Sequence, residues 1–222
     1  LLAHFAAKLA KAGLRRVNVS LDSLKPARFR MITQAGRIED VLAGIAAAKE
    51  AGLSPIKLNV VVLRGINDDE VVDLAKKAEE GFLVRFIEYM PIGKLGRAFE
   101  GQFVPGAEIK ARLEEALGPL IPVRREGPAQ VFRITGASGE VGLITALSAP
   151  FCSSCDRLRL TADGKLRLCL LSPVEIDVSG PLRAGATDEE LRKLLILAAE
   201  RKTTTKRIQG VVPGREMVEI GG

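Results

Sequence analysis

Three runs rich in β-branched and apolar residues, RRVNVSLD (15–22), PIKLNVVVL (55–63) and FLVRFIEYM (82–90), alternate with stretches that carry helical spacing. Strands separated by a helix cannot pair as hairpins, because the chain must cross back before the next strand begins. The expected product is a parallel sheet with right-handed crossovers. The first helical stretch places Leu2, Phe5, Ala6 and Leu9 on one face and stops at Gly13. The second, RIEDVLAGIAAAKEAGL, places Val41, Leu42, Ile45 and Ala48 together and stops at Gly52. The third, NDDEVVDLAKKAEEG, opens with Asn67 as N-cap and Glu70 in capping-box position, and closes at Gly81. Three parallel strands leave exposed edges and close no barrel, so further strands are expected from upstream sequence or from another chain.

The pattern changes after PIGKLG. A helix (GAEIKARLEEALG) precedes short strands around QVFRIT and EVGLITAL. Thr187 and Glu190 form a second capping-box pattern, ahead of a stripe of Leu191, Leu194, Leu195 and Ala198. A domain or subdomain boundary is expected between 91 and 105, with 1–100 and 101–222 on either side. With 222 residues, 47% of them apolar, the chain has ample material for a core, although aromatics are only 4%. No apolar run approaches the roughly 18 residues that span a bilayer, and the first residues lack the pattern of a signal peptide. The odd number of cysteines, 3, makes a poor disulfide framework and suits a reducing compartment, so a cytoplasmic protein is expected. The chain starts at Leu1, inside a helical pattern and without Met, so a piece of a longer protein is expected. A net charge of +6 points to an anionic partner: nucleic acid, a membrane surface or a phosphate-bearing substrate.

All the cysteines, Cys152, Cys155 and Cys169, fall in PFCSSCDRLRLTADGKLRLCL (150–170). Leucine and arginine alternate on both sides of TADG, the sign of a two-stranded hairpin. A loop of Ala162, Asp163 and Gly164, with Gly164 left-handed, pairs Leu160 with Leu166, Leu158 with Leu168, Arg159 with Arg167 and Arg157 with Cys169. The four leucines then share one side. Arginines and cysteines share the other, Cys155 included if the strand extends that far. A two-residue loop would mix the faces. The plain alternative is three inert thiols on an ordinary hairpin with a solvated basic face. Structural zinc wants four ligands, and the sole histidine, His4, is distant in sequence. An iron–sulfur cluster accepts three thiolates if one iron stays open, and the adjacent arginines suit an anionic ligand.

The stretches RVNVSLDSL, KLNVVVLRGINDDE, VRFIEYMPIG, FCSSCDRLRLTADGKLRLCL and the terminal IGG resemble the GTP 3′,8-cyclase family, radical-SAM enzymes of molybdenum cofactor biosynthesis. The resemblance runs from about residue 13 to the C-terminus. It implies the C-terminal portion of a (βα)6 partial TIM-like barrel, followed by a smaller α+β iron–sulfur-binding region. Cys152, Cys155 and Cys169 are implied as ligands of a [4Fe–4S] cluster whose open iron takes the guanine of GTP. Arg157 and Arg159 are implied at the GTP phosphates, Lys57 facing the nucleotide, and Ser20 and Met90 at S-adenosylmethionine. Arg85 is expected to point into the barrel. Gly221 and Gly222 match a tail that enters the active site, where glycine passes closely.

The family carries its first cluster on an N-terminal C-x3-C-x2-C motif, and this chain contains none. A second [4Fe–4S] cluster is therefore expected upstream, and the chain as given is not expected to cleave S-adenosylmethionine. The implied activity is cyclisation of GTP to (8S)-3′,8-cyclo-7,8-dihydroguanosine 5′-triphosphate. Cyclic pyranopterin monophosphate synthase would take the product, with a homodimer as the assembly and neither nucleic acid nor membrane as partner. Two rivals stand beside this reading. One is a non-catalytic metal- and nucleotide-binding module, against whose binding of single-stranded nucleic acid the scarcity of aromatics argues. The other is a degenerate paralogue that binds GTP without radical chemistry.

Overall fold

A computed structural model describes residues 1–93, 101–204 and 215–220. The chain forms two compact units: Leu1–Tyr89 with Gly101–Pro150, and Met90–Glu100 with Phe151–Gly222.

The first unit runs α1 (Leu2–Lys11), β1 (Val17–Ser20), α2 (Pro26–Thr33), α3 (Ile38–Glu50), β2 (Ile56–Val62), α4 (Val71–Ala75), β3 (Leu83–Glu88), α5 (Gly106–Leu117), β4 (Ile121–Glu126), β5 (Ala129–Arg133) and β6 (Glu140–Ile144). Its sheet has six strands in the order β1-β2-β3-β6-β5-β4. Neighbours from β1 to β6 are parallel, and β5 and β4 continue antiparallel. The architecture is α/β with a partial, unclosed barrel-like sheet. The strands that extend it beyond β3 come from downstream sequence, not from upstream or another chain. The pairing of β1 with β2 is the only ladder found for β1 among the described residues.

One face of the sheet is apolar. Leu58, Val60 and Val62 of β2 join Val84 and Phe86 of β3, and helix residues such as Ile45, Leu74 and Ile109, in one core. The helical stripes are narrower than expected. On α1, Ala6 is buried while Phe5 and Leu9 are each 40% exposed; Leu42 of α3 is exposed as well. Helix α2, absent from the expectations, starts with Pro26 in its first turn and buries Phe29.

The Asn67/Glu70 capping box does not form, and the helix it was to open is split by 3-10 turns on either side of α4. Asn67 is fully buried: its carbonyl accepts the Leu63 N–H at 2.7 Å, and its amide donates to the Asp22 and Val61 carbonyls. Glu70 accepts from Ser23 Oγ and the Leu24 N–H and pairs with Arg28.

The second unit contains β7 (Arg159–Leu160), β8 (Lys165–Arg167), β9 (Glu175–Asp177), α6 (Ser179–Arg183) and α7 (Asp188–Thr204). The expected two-stranded hairpin gains β9 as a third strand. The long loop is correct. Arg159 pairs with Arg167 and Leu160 with Leu166, and Gly164 is left-handed at φ +80°. Leu166 and Leu168 are buried with Ile176 and Ala198, and Leu158 packs against them, but Leu160 is 61% exposed. The Thr187/Glu190 capping box forms: Thr187 N–H donates to Glu190 Oε2 at 2.7 Å, and Glu190 N–H donates to Thr187 Oγ1 at 3.3 Å. Along α7 the inward stripe uses Leu197 in place of the exposed Leu195.

Candidate functional site

In the first unit, side-chain alternation sends the residues opposite the apolar core to one polar face. Strand register sets Ser20 beside Asn59 and Asn59 beside Arg85, with Asn18 beside Lys57. Arg85 is 9% exposed; its Nε donates to Asn59 Oδ1 at 2.8 Å and its Nη2 to Asn18 Oδ1 at 3.1 Å. Lys57, also 9% exposed, forms an ion pair with Glu126 of β4. In a flat sheet β2 and β4 would stand about 19 Å apart, at four spacings of ~4.8 Å. Their side chains meet, so the sheet is curled and the polar face is concave. The Lys57 ammonium sits below its ordinary pKa, first because it is buried and then because Arg85, Arg16 and Arg124 surround it.

The C-terminal ends of these strands are braced by buried carboxylates. Glu88, 1% exposed, accepts the Gly106 N–H at 2.7 Å, the Leu147 and Ser148 N–H groups at 2.8 and 2.9 Å, and the Ser148 hydroxyl. Asp22, just beyond β1, accepts the Val61 N–H at 2.8 Å; burial raises its pKa and that hydrogen bond opposes the rise. Sequence reading singled out neither residue. The acidic side chain at the C-terminal end of an apolar run, Glu88 closing β3 and Asp22 after Leu21, was the available signal. Ser20 is exposed at the end of β1. Met90 is half-buried, belongs to the second unit, and accepts the Ile92 N–H on its carbonyl at 2.8 Å.

In the second unit, Cys152 is exposed and opens a 3-10 turn, Cys152–Ser154. Cys155 follows that turn, donating its N–H to the Cys152 carbonyl at 3.2 Å, and both Cys155 and Cys169 are half-buried. No disulfide joins the three. The ladder stops at Arg159, so it does not carry Cys155 or the Arg157–Cys169 pair. Instead Lys202 of α7 enters the open end of the hairpin and donates to the carbonyls of Arg157 at 2.6 Å and Leu168 at 2.9 Å. As a donor set, three reduced thiols on one segment suit an iron–sulfur cluster. Their geometry does not. Among the described residues, no three His, Cys, Asp or Glu side chains are gathered closely enough to hold a metal ion.

Arg157 is exposed and Arg159 half-buried. Burial lowers the Arg159 pKa and Arg157 adds to the fall, while Cys155 opposes it. Arg167, expected on the hairpin side that carries the arginines and cysteines, is 2% exposed, against the plain alternative of a solvated basic face; its Nη1 meets Glu175 of β9 at 3.2 Å, and among the described residues its Nε has no hydrogen-bond partner. The signal missed was β9, whose Glu175 pairs in register with Arg167. Gly221 and Gly222 lie outside the described residues.

Residues 1–78 match the family model described as Radical SAM superfamily, and residues 82–208 the one described as Molybdenum Cofactor Synthesis C. Sheet and sequence thus define a radical-SAM protein joined to a molybdenum-cofactor-synthesis C-terminal region. Among curated relatives, the chain is 49% identical to the GTP 3′,8-cyclase of Moorella thermoacetica, across 100% of the chain and 69% of that protein. It is 48% identical to the GTP 3′,8-cyclase of Thermodesulfovibrio yellowstonii, again across 100% and 69%. With that of Heliobacterium modesticaldum it shares 51% identity across 91% of the chain and 63% of the relative. The chain belongs to the GTP 3′,8-cyclase family. Family membership implies [4Fe–4S] clusters and S-adenosylmethionine, and no helix among the described residues is long and apolar enough to cross a membrane.

Proposed function

We propose that this chain supplies the GTP-binding part of a radical-SAM GTP 3′,8-cyclase, which joins ribose C3′ to guanine C8 and gives (8S)-3′,8-cyclo-7,8-dihydroguanosine 5′-triphosphate. The observation that carries the reading is the hairpin of the second unit: Arg157 and Arg159 lead out of the Cys152–Cys155 turn, and Cys169 follows the paired strand. Those arginines hold the triphosphate by charge-assisted hydrogen bonds. Cys152, Cys155 and Cys169 would hold a [4Fe–4S] cluster, which would supply an open iron for the guanine. In the first unit, Lys57 faces the nucleotide, and Arg85 adds positive charge on the same polar face. Ser20 and Met90 contact S-adenosylmethionine, and Gly221 and Gly222 enter the active site. Residues 1–100 serve the radical-SAM half and 101–222 the cluster and GTP half. The product passes to cyclic pyranopterin monophosphate synthase, and the enzyme is a cytoplasmic homodimer.

A second reading is a non-catalytic metal- and nucleotide-binding module, with zinc or a cluster; that the three thiols are not gathered among the described residues speaks against a preformed open-iron site. Anaerobic reconstitution with iron and sulfide separates the two. About four irons per chain, with a reduced EPR signal that GTP perturbs, supports the cyclase reading. Zinc in place of iron, or a cluster indifferent to GTP, refutes it.

A further inference from the structure

The segment just before the last two glycines is fastened to the hairpin turn. Arg215 donates Nε to Glu175 Oε1 at 2.7 Å and Nη2 to Glu175 Oε2 at 2.9 Å, a bidentate pair. The same Nη2 donates to Asp163 Oδ2 at 2.8 Å. Asp163 lies within the turn, where Thr161 Oγ1 donates to its other oxygen at 2.6 Å and Lys165 stands 3.6 Å from it. One residue upstream, the Ala162 N–H donates to the Glu219 carbonyl at 3.1 Å, and Ile220 is fully buried. Glu216 lies against Gly93, where a Cβ would collide with its carboxylate.

We infer that Arg215 is a positioning residue: through Glu175 and Asp163 it docks 215–220 on the turn of the hairpin that carries Arg159. Glu175 is also the partner of buried Arg167, which pairs across the ladder with Arg159. The anchor's partner Glu175 and the proposed phosphate arginine Arg159 therefore stand on the same three-stranded sheet. For its bearing on catalysis this inference rests on the cyclase reading; the docking itself does not.

The test uses the full enzyme, prepared without oxygen, as wild type, Arg215→Ala, Arg215→Lys and Asp163→Asn. The last removes one partner and leaves the Arg167–Glu175 pair intact. Amide hydrogen exchange at Ala162 and Glu219 reads docking, and kcat and KM for GTP read catalysis. Loss of a bidentate charge-assisted contact at a partly exposed site speeds exchange about tenfold or more in Arg215→Ala. The expected accompaniment is a fall in kcat with KM for GTP within twofold, partial recovery in Arg215→Lys, and an intermediate Asp163→Asn. Unchanged exchange in Arg215→Ala overturns the anchor. Faster exchange with unchanged kcat overturns its positioning role. If the wild type does not convert GTP, the cyclase reading fails, and exchange alone decides the docking.

Discussion

Glu88→Gln removes one charge and exchanges one acceptor oxygen for an amide, at a side chain that is 1% exposed. With the amide nitrogen in the Oε2 position, the Leu147 and Ser148 N–H groups both lose their acceptor. In the Oε1 position it faces the Gly106 N–H and the Ser148 hydroxyl, and the hydroxyl can rotate to accept. The second orientation wins because it strands one donor, not two. One buried unpaired N–H costs about 1–3 kcal/mol, and two remaining bonds weaken from charged to neutral, by about 1 kcal/mol each. The total is about 3–5 kcal/mol. At a urea slope of ~2 kcal/mol/M the midpoint falls by about 1.5–2.5 M, with the slope unchanged. Ser148→Ala, at an exposed residue, costs about 1 kcal/mol or less. Anaerobic urea unfolding of all three proteins is the assay. A Glu88→Gln midpoint within about 0.5 M of wild type would mean that Glu88 does not brace α5 and 147–148 against β3.

Leu168→Ala, at a fully buried member of the second unit's core, costs about 2–5 kcal/mol by denaturant unfolding. Thr187→Ala removes the Oγ1 half of the capping exchange, leaves the backbone N–H of residue 187 on Glu190, and costs about 1 kcal/mol, read in the same way. Arg215 lowers the pKa of both Asp163 and Glu175, so the unfolded chain binds more protons in acid. The docked segment is then fully stabilised above the ordinary carboxylate values of 3.8 and 4.5 and loosens as pH falls through the lowered ones, measured as intrinsic-rate-corrected exchange at Glu219. Lys57 has a folded pKa below 10.5, so an anion bound there draws in a proton as pH rises toward that folded value. Calorimetry of GTP binding in buffers of different ionisation enthalpy detects the uptake, which Lys57→Gln abolishes.

The two capping-box patterns show where sequence is legible and where it is not. Thr187 and Glu190 are exposed, meet few competitors, and bond each other as their spacing implies. Asn67 and Glu70 have the same spacing, but both are buried among groups from β1, β2 and α2 that take every one of their polar atoms named above. Tertiary partners outbid the local exchange. The register of β7 with β8 was readable because a slip would have mixed leucine with arginine. Strand β4 was not: its side chains are almost all exposed, it carries Pro122, and an edge strand of this kind has no apolar alternation to betray it. Phe5 and Leu9 were misplaced because α1 packs closely on α3, where Gly44 would bring a Cβ within 3.1 Å of Leu2. A face that approaches so closely favours Ala6 over larger residues.

The same reasoning explains why the cationic groups form two kinds of site. On the concave face of the first unit, Arg85 is bound by the neutral amides of Asn18 and Asn59, which orient a guanidinium without cancelling its charge. Lys57 meets Glu126, Glu126 is also held by Arg124 at 3.0 Å, and Arg124 in turn pairs with Glu140 at 2.6 Å. In the second unit the charges alternate: Arg167, Glu175, Arg215 and Asp163 form a chain in which each carboxylate is shared. Alternation builds structure, because every charge in it has a counterpart; half-buried Arg159 is destabilised as a cation first by burial and then by Arg157, with Cys155 opposing. The paired charges therefore hold the hairpin and the terminal segment.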